Sequence, residues 1–215
     1  HLDIALLDLN HAILPETLTK LKLVLNSPNE IDWMASMPRS VTELSVKSNN
    51  MQFIPSRISW HMIPPGLRSL DTHILGTATA ELVSHFPPTL TSLELNYGSI
   101  LAEHVPLLPR NITKLSGLIG RRTSVEMVQS LPRGLTECST LQCSLEALPF
   151  LPPTLKTLNL DFYNINRYYQ GPELHLTLPP TLTRLIGSFD ECLLRFAPHD
   201  HLKSVLTFNT VDKTL

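Results

Sequence analysis

Residues 86–95 read Phe86-Pro87-Pro88-Thr89-Leu90-Thr91-Ser92-Leu93-Glu94-Leu95, and this phrase recurs along the chain in the same order. Each copy is an apolar residue, a proline, two spacers, an aliphatic anchor, two more spacers and another Leu or Cys. Proline-headed copies are anchored at Leu18, Val41, Leu67, Leu90, Ile112, Leu135, Leu155 and Leu182. Degenerate copies without the proline are read at Ile4 and Leu202. The ten anchors are separated by 14, 23, 26, 23, 22, 23, 20, 27 and 20 residues. Twelve of the 18 prolines fall in the two positions that open this unit, so they mark repeats rather than loops or disorder.

Downstream of each anchor the chain follows L-x-x-L-x-L-x-x-N/C-x-L, as in Val41, Leu44, Val46, Asn49 and Met51. Period-two alternation turns the residues at +3 and +5 from the anchor inward and those at +2, +4 and +6 outward. One such strand cannot bury its leucine face alone, so the copies must stack and share a core. This pattern resembles the leucine-rich-repeat family over nearly the whole chain. The LPxxL heading is similar to the short repeats of bacterial effectors of the IpaH and YopM type, best seen in residues 143–155. The longer copies with Gly at +8 look like the FNIP repeats of amoebae and their viruses. The resemblance implies an α/β leucine-rich-repeat solenoid, with about ten parallel strands on a concave sheet and turns and short helices on the convex side. The whole chain, residues 1–215, is read as one such domain, or as a piece of a longer protein.

Proline fixes φ and lacks an N–H, and is expected to end the convex segment and feed the chain extended into the next strand. The Asn or Cys at +8 recurs only at Asn26, Asn49 and Cys143. On the convex side, residues 78–85 and 124–130 read as short amphipathic helices opening on Thr or Ser with an early Glu. Residues 164–177 have no clear period and are expected to protrude as a loop.

Composition narrows the function classes. Charged residues are only 17% of the chain and the formal net charge is −2, so nothing calls for nucleic acid. Residues 1–107 hold 6 Lys+Arg against 10 Asp+Glu and the remainder 11 against 9, an asymmetry that at most orients a charged partner. No run of about 18 apolar residues spans a membrane. Three cysteines make no disulfide framework, and Cys138 is an inward core position. No catalytic residue is assigned, since no G-x-S-x-G nucleophile site is present. His199-Asp200-His201 offers no third ligand, so neither metal nor cofactor is assigned. Residues 117–122 read as a turn with an exposed basic pair, and Asn111-Ile112-Thr113 matches a glycosylation acceptor by chance.

The outward strand positions carry the functional evidence. An acidic and amide patch is expected around Asp71, His73, Glu94, Asn96 and Tyr97, with Asn159, Asp161 and Phe162 further along. The outward row turns apolar at Leu118, Leu141, Ile186, Leu206 and Phe208. The reading is a non-enzymatic module that binds a protein partner through the concave sheet. The alternatives are a glycan-binding lectin, suited by Asn159, Asp161 and Phe162, and a structural repeat protein that associates end to end. A cytoplasmic place is expected, with a secreted effector or a cell-surface protein as the other options.

Overall fold

The computed structural model describes residues 2–5, 14–25, 37–48, 63–72, 77–143, 145–160, 174–176, 178–187, 194–196 and 204–207. Among the described residues thirteen strands occur in chain order. They are β1 (Leu2–Ala5), β2 (Lys20–Leu25), β3 (Glu43–Ser48), β4 (Ser69–Thr72), β5 (Thr77–Ala78), β6 (Ser92–Ile100) and β7 (Lys114–Thr123). Then come β8 (Glu137–Cys143), β9 (Thr157–Leu160), β10 (Leu174–Leu176), β11 (Arg184–Gly187), β12 (Leu194–Phe196) and β13 (Ser204–Thr207). Ten of them pair in parallel in the order β1-β2-β3-β4-β6-β7-β8-β9-β11-β13, one strand per repeat, with β5 added against β6. Strands β10 and β12 form a separate parallel pair. A parallel sheet that advances one strand per copy is a leucine-rich-repeat solenoid, the α/β fold the repeat pattern implies.

The proline-headed unit folds as a turn. In all eight copies the anchor N–H donates to the carbonyl of the proline three residues earlier, from Leu18 to Pro15 at 3.0 Å through Leu182 to Pro179 at 3.0 Å. Proline therefore does more than stop the convex segment. It opens a four-residue β-turn whose last residue is the core leucine. The apolar residue ahead of it (Leu14, Met37, Ile63, Phe86, Leu108, Leu131, Leu151 and Leu178) is buried as well. Behind these lie the anchors and the +3 row, Leu21 to Leu185, all buried.

The turns are stitched together by hydroxyls. The residue just before the anchor donates back to the preceding copy: Ser40 Oγ to the Leu18 carbonyl at 2.7 Å, Thr89 Oγ1 to Leu67 at 2.7 Å, Thr154 Oγ1 to Leu135 at 2.7 Å. The residue just after it does the same from Thr91 to Arg68 and from Thr136 to Thr113, each at 3.0 Å. Backbone bonds run alongside, as in Thr113 N–H to the Thr91 carbonyl at 2.8 Å. The hydroxyl before the anchor thus satisfies a turn carbonyl of the preceding copy, while the one after it adds to a carbonyl that already accepts two backbone N–H groups.

The two convex helices expected from sequence form as α1 (Ala80–Ser84) and α2 (Val125–Ser130). Thr79 Oγ1 accepts from the Leu82 amide, and Ser124 Oγ accepts from the Met127 amide, each at 3.3 Å. The Ser124 hydroxyl also holds the Glu126 carboxyl below its usual pKa. Between and after them, Ala102–Leu107 and Leu145–Phe150 are 3-10 helices at the same place in their copies. Val83, Val105, Val128 and Leu148 line up as the convex half of the core.

Four expectations change. Strand β1 pairs Leu2 with Leu21 and Ile4 with Leu23. Leu21 and Leu23 are +3 and +5 of their copy, so Ile4 is a +5 residue and not an anchor. The step from Leu2 to Leu21 is 19 residues, which removes the anomalous step of 14. Residues 117–122 continue β7 and are not a turn. Leu174–Leu176, at the end of the expected loop, forms β10; residues 164–173 lie outside the described residues. The fourth change is in β8, where the register slips between Cys138 and Leu141 so that Leu141 pairs with Leu160. Leu141 was expected on the concave face and is instead fully buried in the +5 row.

Candidate functional site

The sheet bends where three strands carry extra residues. Between Glu94 and Ser99, β6 advances five positions while β7 advances two, from Ser116 to Leu118. Further slips follow between β7 and β8. Gly117 sits at the first of them with φ +146°, and a Cβ there would lie 2.9 Å from Leu95 Cβ and 3.1 Å from the Leu95 carbonyl oxygen. Only glycine tolerates both the angle and the approach, which brings β7 close against β6.

On the solvent face beside this bend, the outward side chains are joined across strands. Asp71 accepts on both carboxylate oxygens: Ser45 Oγ donates to Oδ2 at 3.0 Å and Asn96 Nδ2 to Oδ1 at 2.9 Å. In register with Asp71, Glu94 receives Lys114 Nζ at 2.9 Å, and Lys114 reaches Glu137 at 3.8 Å on its other side. The hydrogen bond that Lys114 donates to Glu94 raises the lysine's pKa above its usual value; the charge of Glu94 and, more weakly, those of Glu137 and Asp71 add to this against partial burial. The centre of the sheet is thus three carboxylates gathered around one ammonium, with amide and hydroxyl groups at its margin. Further toward the start, Lys20 pairs with Glu43 at 2.8 Å.

Of the residues expected here, Asp71, Glu94 and Asn96 come together in one cluster. Tyr97 lies in β6, with its side chain outside the described residues, as are His73, Asp161 and Phe162 entirely. Asn159 is partly exposed on β9, paired with Ile186 of β11 and two strands beyond Glu137's neighbours in β7. Ile186 is likewise partly exposed; Phe208, the His199-Asp200-His201 run and Asn26 and Asn49 are outside the described residues. Sequence reading missed Ser45, Lys114 and Glu137. Lys114 and Glu137 occupy the +2 row, which alternates outward as surely as +4, and that signal was available.

Cys138 is fully buried, in keeping with an inert core position. Asn111 is exposed and its amide donates to the Pro88 carbonyl at 2.8 Å, taking part in the turn-to-turn stitching. Among the described residues no group of His, Cys, Asp and Glu could hold a metal ion. Among the same residues no helix is long and apolar enough to cross a membrane.

No family model and no curated protein matches the chain. Among solved structures it is similar to CroV588, described as a novel circular LRR protein, over 90% of this chain at 17% identity and a TM-score of 0.47. The chain spans 34% of the length of that protein.

Proposed function

We propose that the chain is a non-catalytic recognition module that binds a protein partner through its concave sheet. One observation carries this reading. The residues that recur from copy to copy are consumed in turns, hydroxyl bonds and core, whereas the outward strand residues differ from copy to copy and stand on one solvent-facing sheet. There Asp71, Glu94, Asn96 and Lys114 are already held by cross-strand bonds. A surface whose side chains are fixed before binding loses less entropy on association.

In this reading Asp71, Glu94, Asn96 and Tyr97 are the central contacts, with His73, Asn159, Asp161 and Phe162 extending the surface. The LPxxL heading groups the chain with the effector-type and FNIP repeats, residues 1–215 act as one domain, and the cytoplasm is its place. The test is capture of partners by the folded chain, read by mass spectrometry beside an Asp71→Ala/Glu94→Ala/Tyr97→Ala variant. A partner lost with the variant, at unchanged circular dichroism, supports the concave site. A partner captured equally by both removes it.

A further inference from the structure

Neither the core nor the concave face uses the side chains that flank the proline-headed turn, at −2 and +1 from the anchor. Arg39, Arg110 and Arg133 occupy −2, and Arg68 and Lys156 occupy +1; all five are exposed. Among the described residues of these two rows, Glu16 is the one acid. None of the five cations has an ion pair among the described residues, and Arg110 only donates to the Ser130 carbonyl at 3.2 Å. The carboxylates of the +2 row, Glu43 and Glu137, face Lys20 and Lys114.

The strands begin along this edge, so the five cations form a line. At about 4.8 Å per strand the line from Arg39 to Lys156 is roughly 24 Å long, and Arg110, Arg133 and Lys156 stand in three consecutive copies within about 10 Å. Like charges in neighbouring copies of the edge repel one another. A linear polyanion laid along the edge meets a cation in five of the six copies from Val41 to Leu155, the copy at Leu90 having none in these rows. The guanidinium fork also suits sulfate and carboxylate oxygens in pairs.

Between the cations stand the exposed hydroxyls of Thr89, Thr113 and Thr154. Each donates its single proton to a backbone carbonyl of the preceding copy. Their lone pairs remain to accept, and the natural complement is a ligand that carries hydroxyl donors as well as negative charge. A phosphodiester backbone offers few such donors, and these rows present no aromatic side chain on which a base would stack.

We propose that this turn edge binds a linear sulfated or carboxylated polysaccharide, separately from the concave face. The chain's net charge of −2 gives no long-range attraction, so recognition depends on the local line of cations. The test uses the full chain and a heparin-derived oligosaccharide by titration calorimetry, with poly-glutamate, single-stranded DNA and phosphatidylserine vesicles as competing probes. Arg110→Ser/Arg133→Ser and Arg133→Ser/Lys156→Ser remove two rim charges. Lys22→Ser/Lys47→Ser removes two charges from the concave side. Melting curves confirm that each variant is folded. The expected result is preferential binding of the oligosaccharide, weakened at least tenfold by either rim variant and less than twofold by the concave variant. Equal weakening by rim and concave variants, no binding of the oligosaccharide, or tighter binding of any competing probe would overturn the proposal.

Discussion

The turn edge and the concave face of each repeat are built from the same short stretch of chain, yet they obey opposite rules. At the turn, Pro-x-x-aliphatic recurs in all eight copies, and Thr or Ser flanks the anchor in seven of them, because each residue has one mechanical task. The proline carbonyl closes the turn, the threonines bond the previous copy and the leucine enters the core. Three or four residues later, Ser45, Asp71, Glu94 and Ser116 stand side by side across the strands with no common chemistry. Repetition marks what the solenoid needs, and variation marks what it can spare for the proposed recognition.

Breaking the inward half of this comparison gives the largest effect. Leu115 is fully buried and its neighbour Ser116 faces outward. Leu115→Ala should cost about 2–5 kcal/mol through the cavity it leaves, whereas Ser116→Ala stays within about 0.5 kcal/mol. Urea unfolding of the two variants checks this, and similar losses would erase the distinction between inward and outward rows.

The bend tests the same distinction where the repeat is irregular. Gly117→Ala should destabilise by about 1–3 kcal/mol, from the left-handed φ and the contact with Leu95. Gly134, which stands before an anchor at no positive φ and with nothing within 4 Å of a built Cβ, behaves oppositely. Gly134→Thr should add a missing hydroxyl bond and stabilise by about 0.5–1 kcal/mol, and Thr154→Val should lose a similar amount. Thermal melts of the three variants decide; a destabilised Gly134→Thr would show that the hydroxyl rungs contribute little.

The smallest effect concerns Lys114. Its pKa is raised on folding, so its contribution is complete below about pH 10.5 and is lost as pH rises through the higher folded value. Because Nζ is well exposed, Lys114→Met should cost at most about 1 kcal/mol at neutral pH. It should also flatten the fall in stability above pH 10. A variant that loses stability as steeply as the parent above that pH would show that the carboxylates do not depend on Lys114.

The sequence disclosed the period, the strands, both helix caps and the core rows, because each is set by residues close along the chain. The first copy was misread since it lacks the proline that marks the anchor, leaving the register of Leu2 and Ile4 to pairing with β2. Leu141 was placed on the wrong face because alternation counts residues, and a bulge spends one without advancing the strand. Asp71, Glu94 and Asn96 were legible as outward residues. Lys114 was legible as an outward +2 residue, but its grip on Glu94 and Glu137 shows only when the strands lie side by side. The line of cations at the turn edge was hidden for the same reason: Arg39 and Lys156 are far apart in sequence and become members of one edge only when the copies are stacked.

The repeated residues hold the fold, and the varied concave residues are proposed to hold the partner. The most direct measurement is equilibrium unfolding and partner affinity for two variants in parallel, Thr89→Val/Thr154→Val at the turn and Asp71→Ser/Glu94→Ser on the sheet. The turn variant should lose about 1–3 kcal/mol of stability and, while folded, keep its affinity. The sheet variant should change stability by less than about 1 kcal/mol and lose affinity at least tenfold. A sheet variant that unfolds as readily as the turn variant, or that still binds, would contradict this division of roles.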